Sequence, residues 1–138
     1  MAEHARRHAR GVLDTSVLID LEDIDADSLP AEVAVSSLTM AELAAGPHAT
    51  TDSDERSRRQ DRLQRAEAAF DPLPFDSGAA RAYGRVFAAV TASGRKARGT
   101  RAVDLLIAAT AVAEGIPLYT RNGRDFDALE DLLTVVVV

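Results

Sequence analysis

Residues 102–114, AVDLLIAATAVAE, read as a helix that is apolar on nearly every side. Such a helix belongs inside a fold, because no face of it is suited to water. Gly115 and Pro117 stop it, and residues 118–120, LYT, follow as a strand. The same alternation runs through the chain. Residues 12–14 form a short buried strand, and a helix starts at Thr15 or Ser16 and runs through VLIDLE. Residues 33–36 give a second apolar strand, then 38–46 a helix that ends at Gly46 ahead of Pro47. A charged amphipathic helix spans 55–70, with Leu63, Ala66 and Phe70 on one face. The proline-bearing segment 72–76 is at best an edge or inserted strand. A helix over 77–92 offers Ala80, Tyr83, Val86, Phe87 and Val90 on one face, and TVVVV closes the chain as a last strand. Strands alternating with helices predict a parallel sheet covered on both faces.

With 138 residues, 46% of them hydrophobic, the chain suits one domain able to bury a core without staples. There is no cysteine, which excludes disulfides, zinc–thiolate sites and cysteine nucleophiles. No apolar run reaches membrane-spanning length and no signal segment follows the charged start MAEHARRHAR, so a cytoplasmic protein is expected. Residues 1–10 are expected to be a mobile tail and 11–138 a single domain. The net charge of −6 argues at first against nucleic acid. That average hides a segregated surface: residues 14–32 hold seven acids and no base, whereas RKARGTR at 95–101 holds four bases and no acid.

Open parallel sheets bind ligands beyond the carboxyl ends of their strands. Asp14 ends the first strand, Glu42 lies in the helix after the second, Asp104 near the start of the buried helix, and Asp125 after LYT. Each has an ordinary structural explanation. Asp14 suits a helix N-cap. Thr39 and Glu42 fit a T-x-x-E capping box. Asp104 suits a first-turn acid facing the helix dipole, and Asp125 a turn residue in NGRD.

Taken together, VLDTSVLI, LTMAELAAG, AVDLLIAATA and LYTRNGRDF resemble the successive motifs of PIN-domain ribonucleases, and more narrowly the VapC toxins of bacterial toxin–antitoxin pairs. The resemblance covers residues 11–138. It implies a three-layer α/β/α sandwich with a central, mainly parallel sheet of four to five strands. It also implies a metal-dependent endoribonuclease, the toxin of a type II pair, inhibited by a VapB antitoxin and acting on RNA of the tRNA or rRNA class, as a homodimer. The family's acidic, metal-binding site maps to Asp14, Glu42, Asp104 and Asp125, with Asp127 competing for the fourth place. Thr15, Ser16, Thr120 and Asn122 map to its supporting polar positions. Mg²⁺, or Mn²⁺ in its stead, is the implied cofactor.

Chemistry supports the resemblance. Carboxylates gathered in one place repel unless a hard, oxygen-seeking cation sits among them. That cation inverts the local charge, which answers the acidic average. Arg95, Lys96, Arg98, Arg101, Arg121 and Arg124 are the candidates for RNA-backbone contacts, which position RNA without choosing sequence. A receiver domain would need a lysine after its last strand, and the only lysine, Lys96, lies before Asp104. A haloacid-dehalogenase-like phosphatase would need D-x-D, and Ser16 stands at its third position. The remaining alternatives are a PIN-fold nuclease outside a toxin–antitoxin pair, one directed at DNA among them, and a non-catalytic partner-binding module.

Overall fold

The structure is a computed structural model that describes residues 8–95 and 100–138, with the side chains of residues 100 and 101 left aside. Four strands form one sheet: β1 (Arg10–Leu13), β2 (Glu32–Val35), β3 (Leu118–Thr120) and β4 (Val135–Val137). Their spatial order is β2-β1-β3-β4 and every pair is parallel. Among the described residues five α-helices join them: α1 (Thr15–Ile19), α2 (Ser37–Ala45), α3 (Ser53–Ala69), α4 (Ser77–Ala92) and α5 (Thr100–Glu114).

The period of two along the strands divides the core. Val12, Ala34 and Leu118 point to the face covered by α4 and α5, where Val86, Val90, Leu105, Ile107 and Phe126 are fully or almost fully buried. Leu13, Val35 and Tyr119 point the other way, toward Val17 and Leu18 of α1, Leu43 of α2 and Ala66 of α3. This is the layered arrangement that a sheet apolar on both faces requires. Within α5, five consecutive residues, Ile107 to Ala111, are buried, as its all-round apolarity demands. Gly115 ends α5 at φ +70, a conformation that side-chain-bearing residues rarely adopt. There the Ile116 N–H bonds back to Ala111. Gly11 is required for a different reason: a Cβ there would lie 2.5 Å from the Tyr119 ring.

Several expectations are corrected. The first helix does not run through VLIDLE. It stops after Ile19, and a 3-10 turn at Leu21–Asp23 follows. Asp20, Glu22 and Asp23 gather where a helix C-terminus disfavours negative charge. The proline segment stays within its expected limit, contributing a single bridge, Leu73 to Ser36, beside β2. The buried face of α4 is turned from the expected one: Ala79, Ala82, Val86 and Val90 are inside, whereas Phe87 is 47% exposed. Of the expected mobile tail, residues 1–7 lie outside the described residues. Residues 8–10 are already docked, with His8 and Ala9 carbonyls accepting from Ala31 and Glu32 and Arg10 opening β1.

Because all strands are parallel, their carboxyl ends share one edge. β1, β2 and β3 deliver Asp14, Ser36 and Arg121 there. Helix α5 runs back against the strand direction. Its last residue, Glu114, pairs with Arg10 at the opposite edge of the sheet, so its beginning, with Asp104, lies toward the carboxyl edge.

Candidate active site

Asp14 is the pivot. It is only 4% exposed and follows β1 directly, with its N–H bonded to the Tyr119 carbonyl of the neighbouring strand. Its Oδ1 accepts from the Val17 N–H at 3.1 Å, capping α1, and from the Ser16 hydroxyl at 2.6 Å. Capping therefore describes part of what Asp14 does, and it uses one oxygen. The second oxygen, Oδ2, takes no hydrogen bond among the described residues, although a buried polar atom left without a partner is costly.

Ser16 joins two strand ends. While its hydroxyl donates to Asp14, its oxygen accepts the Arg121 N–H at 3.1 Å, so α1 and the segment after β3 are held together. Thr15 reaches the other way. Its hydroxyl donates to Glu42 Oε1 at 2.5 Å and lies 3.1 Å from the Thr39 hydroxyl. The capping-box explanation of Thr39 and Glu42 is thereby overturned. Ser36 caps α2 through the Leu38 N–H, and Thr39 is fully buried within the helix. Glu42, one turn further along the same face, is tied to α1 instead of its own helix end.

Asp104 and Asp125 are each half-buried, and Asp127 is exposed. Asp104 is not the first-turn acid that a dipole explanation needs, because α5 opens at Thr100. It lies on a helix that packs against α2 as well as α4. Asp125 sits in the first turn of a 3-10 segment, Gly123–Leu129, directly after β3, with its N–H bonded to Asn122. The structure pairs Asp14 with Ser16 and Glu42 with Thr15 by direct hydrogen bonds, and topology puts Asp104 and Asp125 toward the same sheet edge. Among the described residues, no three acidic or histidine side chains stand close enough together to hold a metal ion. The donor set is nonetheless all oxygen. Glu42, like Asp14, has one oxygen tied and one with no hydrogen bond among the described residues. That combination suits a hard divalent cation.

The supporting positions divide. Thr120 is fully buried, and its hydroxyl oxygen accepts the Asn122 N–H at 3.0 Å, which makes it a turn former. Asn122 is exposed and caps nothing with its side chain. Of the basic candidates, Lys96 and Arg98 lie outside the described residues, as does the Arg101 side chain. Arg95 donates to the Arg124 carbonyl at 2.8 Å, which ties Arg95 to the segment carrying Asp125. The exposed Arg121 lies 3.8 Å from Asp20, and Arg124 is exposed. Thr39 went unassigned to the site in the sequence. Its spacing of three from Glu42 was visible there but matched a helix cap equally well.

The PIN domain family matches residues 11–132. Ribonuclease VapC5 of Mycobacterium tuberculosis is 37% identical over 133 residues, covering 94% of this chain and 95% of the relative. The chain belongs to the VapC group of PIN-domain proteins. A ribonuclease VapC of Rickettsia bellii is 31% identical over 91% of this chain and 95% of its own length. Among solved structures, the VapBC-5 toxin–antitoxin structure from Mycobacterium tuberculosis contains a chain that superposes with a TM-score of 0.81. It is 37% identical and covers 94% of this chain and 98% of that one. VapBC2 of Rickettsia felis, at 22% identity and a TM-score of 0.71 over 91% of this chain and 96% of that one, shares the fold. This PIN domain thus has the parallel four-stranded sheet and flanking helices expected from its motifs.

Proposed function

We propose that this PIN domain is the toxin of a type II toxin–antitoxin pair, a metal-dependent endoribonuclease of the cytoplasm that hydrolyses RNA phosphodiester bonds. The observation that carries the reading is the half-satisfied state of Asp14 and Glu42 on either side of Thr15, within a VapC-like sequence and fold. Asp14, Glu42, Asp104 and Asp125 would hold Mg²⁺ or Mn²⁺. When bound, such a cation supplies positive charge against the phosphodiester and makes a water more acidic. The chain's own residues do the positioning. Ser16 and the α1 backbone aim the Asp14 carboxylate, Thr15 aims Glu42, and the Ser16–Arg121 bond fixes the spacing between β1 and the Asp125 segment. Asp125 is the better fourth acid, since it is half-buried beside β3 while Asp127 faces solvent. RNA of the tRNA or rRNA class would lie across this edge, its backbone met by arginines of the connection that Arg95 anchors.

An antitoxin of VapB type is the proposed inhibitor. The groove proposed for it lies between α1 and α3, and α3 covers Met40 and Leu43 of α2. It has a volume of about 360 Å³, an apolar floor of Leu18, Leu21, Ala66 and Phe70, and a charged rim, which suits an amphipathic helix. The exposed Phe87, stacked at a tilt on Tyr83, supports the homodimer reading. The function is tested by incubating the purified protein with total RNA in Mg²⁺ and in EDTA, beside the Asp104→Asn variant. Cleavage is expected only for the wild type with metal. Cleavage by the variant at a near wild-type rate would remove Asp104 from the site, and absence of metal-dependent cleavage of any RNA pool would favour a non-catalytic partner-binding module.

A further inference from the structure

We infer that Thr39 is a positioning residue for this site, acting on Glu42 through the Thr15 hydroxyl; the inference rests on the metal-dependent reading above. A hydroxyl carries one proton. Thr15 has two oxygen neighbours, Glu42 Oε1 at 2.5 Å and Thr39 Oγ1 at 3.1 Å. A carboxylate accepts only, so the Thr15 proton belongs to Glu42 and the Thr39 proton must point at Thr15. Among the described residues the Thr39 hydroxyl has no other partner. Thr39 is fully buried, so water cannot take over its role. The result is a directed chain from Thr39 to Thr15 to Glu42. Polarised in series, it strengthens the bond to the carboxylate. It also fixes which Glu42 oxygen is tied to α1 and which stays available. Thr39 and Glu42 stand three apart on one helix face, so α2 carries both the group to be aimed and the group that does the aiming.

The test is Mn²⁺ binding by isothermal titration to the whole protein, with thermal melting in EDTA as the check on folding. Thr39→Val keeps the shape and deletes the hydroxyl, and it should weaken Mn²⁺ binding about tenfold, as loss of a partner behind a metal ligand does. Thr39→Ser restores the hydroxyl and should recover most of that affinity. In a Thr15→Val background, Thr39→Val should change Mn²⁺ affinity little, because its route to Glu42 is already cut. Wild-type affinity in Thr39→Val would overturn the inference. So would Thr39→Ser binding as weakly as Thr39→Val, which would assign the effect to packing, or full additivity with Thr15→Val. A wild-type protein that binds no Mn²⁺ would instead overturn the metal-dependent reading, and this inference with it.

Discussion

Replacing Asp14 in two ways separates its structural from its chemical contribution. Asn keeps an oxygen that can accept from the Val17 N–H and the Ser16 hydroxyl, so the cap of α1 survives. Ala removes that acceptor and leaves both donors without it. Losing a cap costs about 0.5–2 kcal/mol, with about 1 kcal/mol typical. For a chain of this size, 1 kcal/mol moves the melting temperature by about 4 °C. Asp14→Ala should therefore melt about 2–8 °C below wild type in EDTA, with about 4 °C typical. Asp14→Asn should melt at or above wild type there, since it removes a buried charge whose second oxygen takes no hydrogen bond among the described residues. Adding metal reverses the order. A ligand of the folded state at 100 times its Kd stabilises by about 2.7 kcal/mol, close to 10 °C here. Wild type should show this gain and both variants should lose most of it. The assay is thermal melting in EDTA and across a Mg²⁺ or Mn²⁺ series. If Asp14→Asn keeps the full metal-dependent gain, Asp14 is a cap alone, and the nuclease reading loses its chemical basis.

Two further outcomes follow from charges away from the acids. Replacing Lys96 and Arg98 with Ala should weaken binding to unrelated single-stranded RNAs alike and flatten the plot of log affinity against log salt by about 1.4, two contacts at about 0.7 each. An unchanged slope would assign those side chains to solvent. Replacing Arg95 as well should do more than add a third contact, because its bond to the Arg124 carbonyl would be lost too. On α3, the Glu55 carboxyl is held below its ordinary pKa, first by the side-chain hydrogen bond from Arg59 and then by that from Arg58. Its folded pKa is depressed, so its small stabilisation is present above the unfolded value and is lost as pH falls through the folded one. The melting difference between Glu55→Gln and wild type should thus narrow as pH falls through the depressed pKa of Glu55, and a difference that widens would contradict the sign.

The fold was legible wherever periodicity or composition left one solution. Helix α5 is apolar nearly all round and buries every residue from Ile107 to Ala111, and β1 alternates Val12 and Leu13 between the two faces of the sheet. Boundaries were less legible where charge decided them. The sequence VLIDLE keeps a helical apolar pattern through Leu21, yet acids at its end favour a break after Ile19. On α4 the difference is rotational. Alanines at 79 and 82 are buried, and the larger Phe87 is left outside. A pattern that scores residues by size assigns Phe87 to the core, whereas close helix packing selects small side chains.

At the site, reading each acid as either a cap or a ligand assumed that one role excludes the other. A carboxylate has two oxygens, and this fold treats them separately. Asp14 gives Oδ1 to the start of α1 and Glu42 gives Oε1 to Thr15, so each acid is fixed in direction by an interaction that consumes half of its acceptors. The remaining oxygen is then aimed at no entropic cost when a cation arrives, because the side chain is already ordered. The same atoms that make Asp14 look like an ordinary cap in sequence would make it a rigid ligand under the proposed metal-dependent reading. For Glu42 the sequence pointed to the wrong end of the helix: T-x-x-E places both residues on one face, but only the crossing of α1 over α2 shows that the face looks toward Thr15. Local spacing encodes which side chains are neighbours along a helix, and the choice of partner across helices is made by the sheet that brings β1 and β2 side by side.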